Sequence, residues 1–419
     1  MAGAAFRLGL GPELAPRLPV ALMAAAFLPF YWWMLRREFG CRAASLATAI
    51  LGTCGGWIVV SQAGVTDLPL TATFSAAMLL ALPWVARGEA RFLPAASAML
   101  GLAVLAKYQV ALVLAIPVLI GYRRWRDLVR PRVAAPFLVV ALPWYLLCYL
   151  RNGRAFTGVL WEHQFGRFVS GALQHVQPGW FYLPVLVGVA LPWSPLLVLA
   201  VWRGIYRGRG RLFLLAWVLC GFVFFSLAAN KLPGYLMPLL PAATALMAIA
   251  LDEAEAEAAM AGPLLACCAM LLVAFPMAAP MLPAVFDAGL SRAPFPSFHW
   301  TWLPPAAVAA VAWTLERRGR RLAAVLSIAL GAAMGTFYLK RATAPELDRA
   351  ASARTLWRQI AARAGEVCID NLNRNWRYGL NYYSVTPLPE CSAQAQPLWV
   401  RQAPGAPPRM EAAPPVRVP

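Results

Sequence analysis

The residues in this chain best suited to chemistry are few, and they fall at the ends of long apolar runs. Asn230-Lys231-Leu232-Pro233-Gly234-Tyr235 separates two such runs, with Pro238 and Pro241 just beyond. It offers an ammonium, a tight Pro-Gly turn and a phenol together. A lysine is a compact point cation that suits a phosphate, while the plainer reading is a lysine snorkelling beside an interfacial tyrosine. Thr66-Asp67-Leu68-Pro69 opens another run. Asp67 there either complements a helix N-terminus or faces a cavity or a cation, as carboxylates at membrane depth do. The second alternative makes it a candidate catalytic base. Lys107, between two short runs, either ends a helix or adds a second cation to a phosphate site.

The stretch Trp161-Glu162-His163-Gln164-Phe165-Gly166-Arg167-Phe168 has too many polar groups for a membrane anchor and too many aromatics for a solvated loop. It is a candidate lining for a sugar or lipid headgroup. Arg167 suits a bidentate grip on phosphate, and His163 and Gln164 stand beside it as candidate substrate-binding groups. For His163 a purely structural hydrogen bond is an equal alternative. The sequence has no Walker phosphate loop, no glycine-rich dinucleotide fingerprint, no H-E-x-x-H and no paired-cysteine metal site. It also lacks a D-x-D pair of the kind that holds a metal against a nucleotide sugar. No cofactor is evident, and no cluster of ligands supports a divalent metal.

The elements that carry these residues are spelled out by composition. Of 419 residues, 61% are hydrophobic and 13% charged, which excludes an ordinary soluble globule. About twelve windows are long enough to cross roughly 30 Å of hydrocarbon. They run approximately 17–35, 43–62, 68–86, 92–106, 108–122, 134–150, 180–202, 211–228, 232–251, 262–284, 300–315 and 321–339. The net charge of +19 is mostly arginine, clustered in every second loop: Arg36 to Arg42, Arg87 and Arg91, Arg123 to Arg132, Arg203 to Arg211, and Arg317 to Arg321. Cationic loops stay cytoplasmic, so this charge reports orientation and not nucleic-acid binding. The intervening loops then face outward, and they hold Asp67, Lys107, the 151–175 stretch, Lys231 and Tyr235.

The fold class expected is an all-α polytopic membrane protein with a small α/β-like domain after the last span. Residues 1–340 form the multispan part, 341–403 the small outward domain and 404–419 a disordered, proline-rich tail. Within 341–403 an amphipathic helix is expected over Pro345 to Ala364, with short strands at Val367 to Ile369, Tyr378 to Val385 and Leu398 to Val400. Six of the eight cysteines lie in or beside apolar runs, where a small buried hydrophobe is the default. Cys368 and Cys391 fall in the outward domain, a compartment where disulfides persist, and are a candidate pair. No internal repeat is visible.

Taken in order, Arg17-Leu18-Pro19, Arg36 to Gly40, Thr66 to Leu70, Gly101 to Lys107, Ala141 to Tyr145, Arg151-Asn152-Gly153, His163 to Phe168, Leu191-Pro192-Trp193 and Lys231 to Tyr235 resemble the family 39 glycosyltransferases, and within them the aminoarabinose transferase-like enzymes of bacteria. The resemblance covers roughly residues 10 to 251. It implies an integral-membrane enzyme of the bacterial inner membrane. Such an enzyme moves a sugar from a polyprenyl phosphate, such as undecaprenyl phosphate, to a hydroxyl of lipid A, another lipid or a protein at the periplasmic face. It further implies that Lys107, Arg167, Lys231 and Tyr235 gather near the carrier phosphate, with Asp67 in the same cavity. Members of the family begin with one more span and an acidic catalytic loop, so the expectation is a start assigned too far downstream, with a truncated and inactive gene as the alternative. Two other functions stay open: a transporter or flippase of lipid-linked sugars, and an inactive binder of the carrier.

Overall fold

The computed structural model describes residues 2–120, 124–162, 176–201, 206–253, 258–289, 293–403 and 406–413. Among these, eight helical segments are long and apolar enough to cross a bilayer, and the protein is a multi-pass membrane protein. The chain divides into two compact units, Met1–Leu271 with Ala306–Gly331, and Leu272–Pro305 with Ala332–Pro419.

The first unit begins with α1 (Ala2–Arg7) and the long α2 (Leu18–Thr53). At Gly40 the backbone of α2 leaves the helical region with φ 88°, a conformation that costs glycine little. The chain folds back there, because Trp32 Nε1 donates to Ser45 Oγ at 3.1 Å across thirteen positions. A short α3 (Gly55–Ser61) leads to α4 (Asp67–Arg87), α5 (Leu93–Lys107), α6 (Val110–Ile120) and α7 (Pro131–Trp161). Then come α8 (Tyr182–Ala190), a 3₁₀ stretch Ser194–Val201, α9 (Arg209–Leu227), a 3₁₀ turn Pro233–Leu239, α10 (Leu240–Glu253) and α11 (Ala258–Met270). All twelve apolar windows coincide with helical segments, yet several are not separate full-length spans. The first two join in α2, the fifth is the short α6, and the seventh breaks between α8 and its 3₁₀ continuation.

Helix association in lipid cannot rely on the hydrophobic effect, because lipid tails are as apolar as leucine. Close backbone approach by small residues replaces it. A Cβ on Gly101 would meet the Phe137 carbonyl at 3.1 Å, so α5 and α7 approach backbone to backbone there. The arginine loops meet at one end of this unit. Arg87 pairs with Glu38, Arg42 with Asp252 at 3.0 Å, Arg211 with Glu253, and Arg321 with Glu316 at 2.6 Å. Arg321, only 5% exposed, also donates to the Leu251 carbonyl. The charges that sequence patterning places on one side are therefore knitted across five chain segments. Asp252, at the C-terminal end of α10, takes part in that lattice.

The second unit contains α12 (Ala274–Ala288), and, after α13 (Pro304–Arg317) of the first unit, the later part of α14 (Arg321–Ala350). It closes with α15 (Ala353–Ile360), β1 (Val367–Asp370), α16 (Arg374–Ser384), β2 (Leu398–Arg401) and β3 (Arg409–Ala412). Strands β1 and β2 run parallel, and β3 pairs antiparallel with β2. Leu356, Ile360, Val367, Ile369, Trp376, Leu380 and Val400 are buried together as its core. Two expectations give way here. Tyr378 to Val385, read as a strand, lies mostly in α16: Trp376 and Leu380, four apart, are both buried, and Asn373 caps the helix by accepting from the Asn375 amide at 3.1 Å. The region beyond 403, read as disordered, contains β3, whose backbone pairs with β2 from Arg409↔Arg401 to Ala412↔Leu398. Cys368 and Cys391 form a disulfide. Closing a loop of 23 residues this way is worth about 3 kcal/mol.

Candidate functional site

At the end of the first unit opposite the arginine lattice, three elements bring polar groups together. Asp67 is the first residue of α4 and Lys107 the last of α5. The two helices are antiparallel neighbours, so these ends adjoin. Tyr108 follows with φ 55°, a left-handed conformation costly for a non-glycine residue, and it stops α5 with Lys107 at its tip. Each charge complements its own helix dipole, negative at an N-terminus and positive at a C-terminus. Lys107 Nζ then donates to Asp67 Oδ1 at 2.7 Å. With side chains 25% and 21% exposed the pair is partly solvated, so its contribution to stability is about 0–1 kcal/mol. Its more telling property is that it fixes where the ammonium sits.

The third element is the loop before α10. A Cβ on Gly234 would lie 3.2 Å from Asp67 Oδ1, so glycine is what lets this loop rest on the carboxylate. The next residue, Tyr235, places its ring centroid 4.6 Å from Lys107 Nζ, a cation–π contact. Asp67, Lys107 and Tyr235 therefore form one contiguous group. Behind it the rings run from Tyr235 to Phe225 at 5.7 Å and from Phe225 to Tyr182 at 6.3 Å, and the Tyr182 hydroxyl donates to the Leu232 carbonyl at 3.2 Å. Trp217 Nε1 donates to the Pro238 carbonyl at 2.9 Å. Sequence reading missed these supports, since Tyr182, Trp217 and Phe225 sit inside apolar runs and look like any core aromatic.

Lys231 has a different environment. It is 5% exposed, and its ammonium donates to the Ala228 carbonyl at 2.6 Å and the Gln177 carbonyl at 3.0 Å. Ala228 caps the C-terminus of α9, where carbonyls lack intrahelical partners. Among the described residues its ammonium meets carbonyls and no carboxylate. An isolated β-bridge between Val176 and Asn230 fastens the same two segments. Lys231 thus locks the loop that presents Gly234 and Tyr235. His163, Gln164 and Arg167 lie outside the described residues. Among the described residues no three His, Cys, Asp or Glu side chains converge.

The bundle thus holds a paired ammonium at the tip of its helices, at the end away from the arginine loops. Residues 1–150 match the family described as dolichyl-phosphate-mannose-protein mannosyltransferase. The first solved structure it resembles is ArnT from Cupriavidus metallidurans bound to undecaprenyl phosphate, with a TM-score of 0.76 at 24% identity over 96% of this chain and 81% of that one. The apo state of the same protein gives a TM-score of 0.70. In sequence the chain is 32% identical over 251 residues to the undecaprenyl phosphate-alpha-4-amino-4-deoxy-L-arabinose arabinosyl transferase of Pseudomonas aeruginosa, covering 57% of this chain and 46% of the relative. Its counterpart in Serratia proteamaculans is 34% identical over 152 residues, 35% of this chain and 27% of that one. The chain spans about half the length of the Pseudomonas relative or less. The resemblance carried by the ordered motifs is borne out.

Proposed function

We propose that this protein transfers a sugar from a polyprenyl-phosphate carrier to a hydroxyl of a lipid, of the lipid A type, or of a protein, at the outer face of the bacterial inner membrane. The observation that carries this is the Asp67–Lys107–Tyr235 group, an oriented ammonium at headgroup depth at the end of the bundle opposite the arginines. The similarity to undecaprenyl-phosphate-dependent arabinosyl transferases supplies the donor class. The acceptor oxygen attacks the anomeric carbon, the bond from that carbon to the phosphate oxygen breaks, and the electron pair leaves with the phosphate. A cation that meets this growing charge in place lowers the barrier without reorganising. Lys107 has that part here, and Arg167 joins it on the strength of its motif. Tyr235 packs beside the ammonium and borders the sugar, while His163 and Gln164 are assigned to the sugar or headgroup by their place in the sequence. Lys231, the other lysine of the motif, acts by holding the loop.

Asp67 has two readings. Its ion pair with Lys107 suits an orienting role, while its carboxylate is also a base for the acceptor proton. Asp67→Asn separates them: loss of a base removes the acidic limb of the pH–rate profile, whereas loss of an orienting partner weakens carrier binding and leaves the limb in place.

The test of the function is a transfer assay in membranes containing the chain, with radiolabelled polyprenyl-phosphate sugars and extracted lipids as acceptors. Label reaching the acceptor lipid supports an enzyme. Carrier bound with no label transferred assigns the chain to the binder or transporter class. The reading also puts the 341–403 domain and its disulfide outside, with 1–340 in the membrane. A reporter enzyme that works only outside the cytoplasm, fused after Lys340, is expected to be active, and inactivity would overturn this orientation.

A further inference from the structure

The end of the first unit that carries the arginines holds a cavity of about 400 Å³ between α4, α5, α6, α7 and the 3₁₀ turn Trp125–Val129. Its walls include Ala96, Leu100, Ala115, Trp125, Val133 and Phe137, and Ser97 brings the one hydroxyl group to its lining. Met78 and Ala81 line it from α4. At 1.5 Å per residue they lie roughly 17–21 Å along the helix from Asp67, so the cavity is separate from the polar group at the other end. A buried water needs two to four polar partners, which these walls do not provide. Ile116 and Val129, both lining residues, are 45% and 65% exposed, so the cavity opens on the lipid-facing surface. Walls of this kind suit hydrocarbon.

Moving an acyl chain from bilayer into an apolar cavity gains little, because both surroundings are apolar. A defined occupant therefore has to be chosen by its headgroup. Trp125, a wall of the cavity, has the Arg126 guanidinium 5.9 Å from its ring centroid. The adjoining Arg124 lays its guanidinium against Gly88, the C-cap of α4. Two arginines nearby are neutralised, Arg87 by Glu38 and Glu89, and Arg130 by Asp127 at 2.8 Å. Among the described residues Arg124 and Arg126 have no carboxylate partner. Two uncompensated cations at the mouth of an apolar slot match an anionic headgroup on an acyl chain, and basic pockets between spans on the cytoplasmic side bind such lipids.

We propose that this cavity binds one acyl chain of an anionic phospholipid of the cytoplasmic leaflet, whose phosphate is held by Arg124 and Arg126. The site is independent of the sugar-transfer reading, and its failure would leave that reading intact. The test is native mass spectrometry of the full chain in detergent with phosphatidylglycerol or phosphatidylcholine added. One phosphatidylglycerol should be retained about tenfold more strongly than phosphatidylcholine, and Arg124→Ala with Arg126→Ala should remove that preference. Ala115→Phe, which fills the slot, should lower retention of both. The unaltered chain gives a second measurement that needs no variant: phosphatidylglycerol with a photoreactive group midway along its acyl chain should label α5 and α6. Equal retention of the two lipids, a preference unchanged by the arginine substitutions, or label spread over the lipid-facing Leu219 and Val223 of α9 would each overturn the proposal. So would displacement of the label by polyprenyl phosphate, which would assign the slot to the carrier's own tail.

Discussion

Helices α4 and α7 are both apolar and both long enough to span a bilayer, yet 94% of the most apolar stretch of α4 is buried in the protein against 11% of that of α7. The 3₁₀ turn and α10 together, at 89%, resemble α4. Small side chains are more frequent in the buried kind, although α4 also buries Phe74, Met78 and Trp84. The buried face of α4 carries Thr71, Ala72, Thr73, Ser75, Ala76 and Ala77, and α10 carries Ala242, Ala243, Thr244, Ala245 and Ala248. Exposed positions of α7 are Val139, Leu142, Trp144, Leu147 and Leu150. In lipid, small residues mark helix contacts and large ones mark the lipid face. Hydroxyls on the central helices satisfy backbone carbonyls: Thr71 donates to Asp67 at 2.7 Å, and the Tyr31 hydroxyl to Pro241 at 2.7 Å. Asp67 and the Gly234–Tyr235 loop are thus mounted on the ends of the two spans most buried in the protein, and the proposed phosphate site gains from a rigid base.

The comparison can be broken at graded cost. The largest effect belongs to the site itself, where Lys107→Ala is expected to lower sugar transfer by about 10²–10³-fold, measured as initial rates in membranes at matched protein level. An effect under threefold would detach Lys107 from the chemistry. Next comes the packing beneath it. Ala245→Leu in α10, or Gly221→Ala in α9, whose added methyl would collide with Leu239, should destabilise by about 1–3 kcal/mol. Thermal unfolding in detergent reads this, and no loss of melting temperature would mean that the central helices are looser than described. Leu147→Ala on the lipid face of α7 should shift stability by less than about 0.5 kcal/mol. A larger loss would show that α7 is packed against protein in the membrane.

The smallest effect is expected at Glu89, in the exposed loop after α4. Its hydrogen bond to Arg87 holds its carboxyl below the ordinary carboxylate range. A carboxyl depressed on folding stabilises at neutral pH, and that contribution is lost as pH falls through its folded value. Glu89→Gln should lower melting temperature slightly at pH 7 and should flatten its fall on acidification, the two proteins converging in acid. A steeper fall would reverse the sign assigned to the pair.

Much of this is legible in the sequence. Arginine spacing anticipated one charged end, and Glu38, Asp252, Glu253 and Glu316 complete it by pairing with those arginines. The positions of Asp67, Lys107 and Tyr235 at run boundaries placed them at helix tips, though not in contact, because sequence does not say which tips adjoin. Lys231 shows the limit more sharply. Its motif suggests a free cation, whereas the carbonyls of Ala228 and Gln177 that bind it come from chain geometry, which composition does not record. Tyr378 to Val385 failed for a related reason. Its aromatics favour a strand taken singly, but Trp376 and Leu380 share one helical face and the core claims that face.

The most direct test of the account is the affinity of purified protein for undecaprenyl phosphate, compared between the unaltered chain, Lys107→Arg and Lys107→Ala. A loss of at least about tenfold is expected for Lys107→Ala, with much of it restored by arginine, since either cation can meet the phosphate. Unchanged affinity in Lys107→Ala, with the protein folded, would contradict the assignment of this helix tip as the carrier-phosphate site.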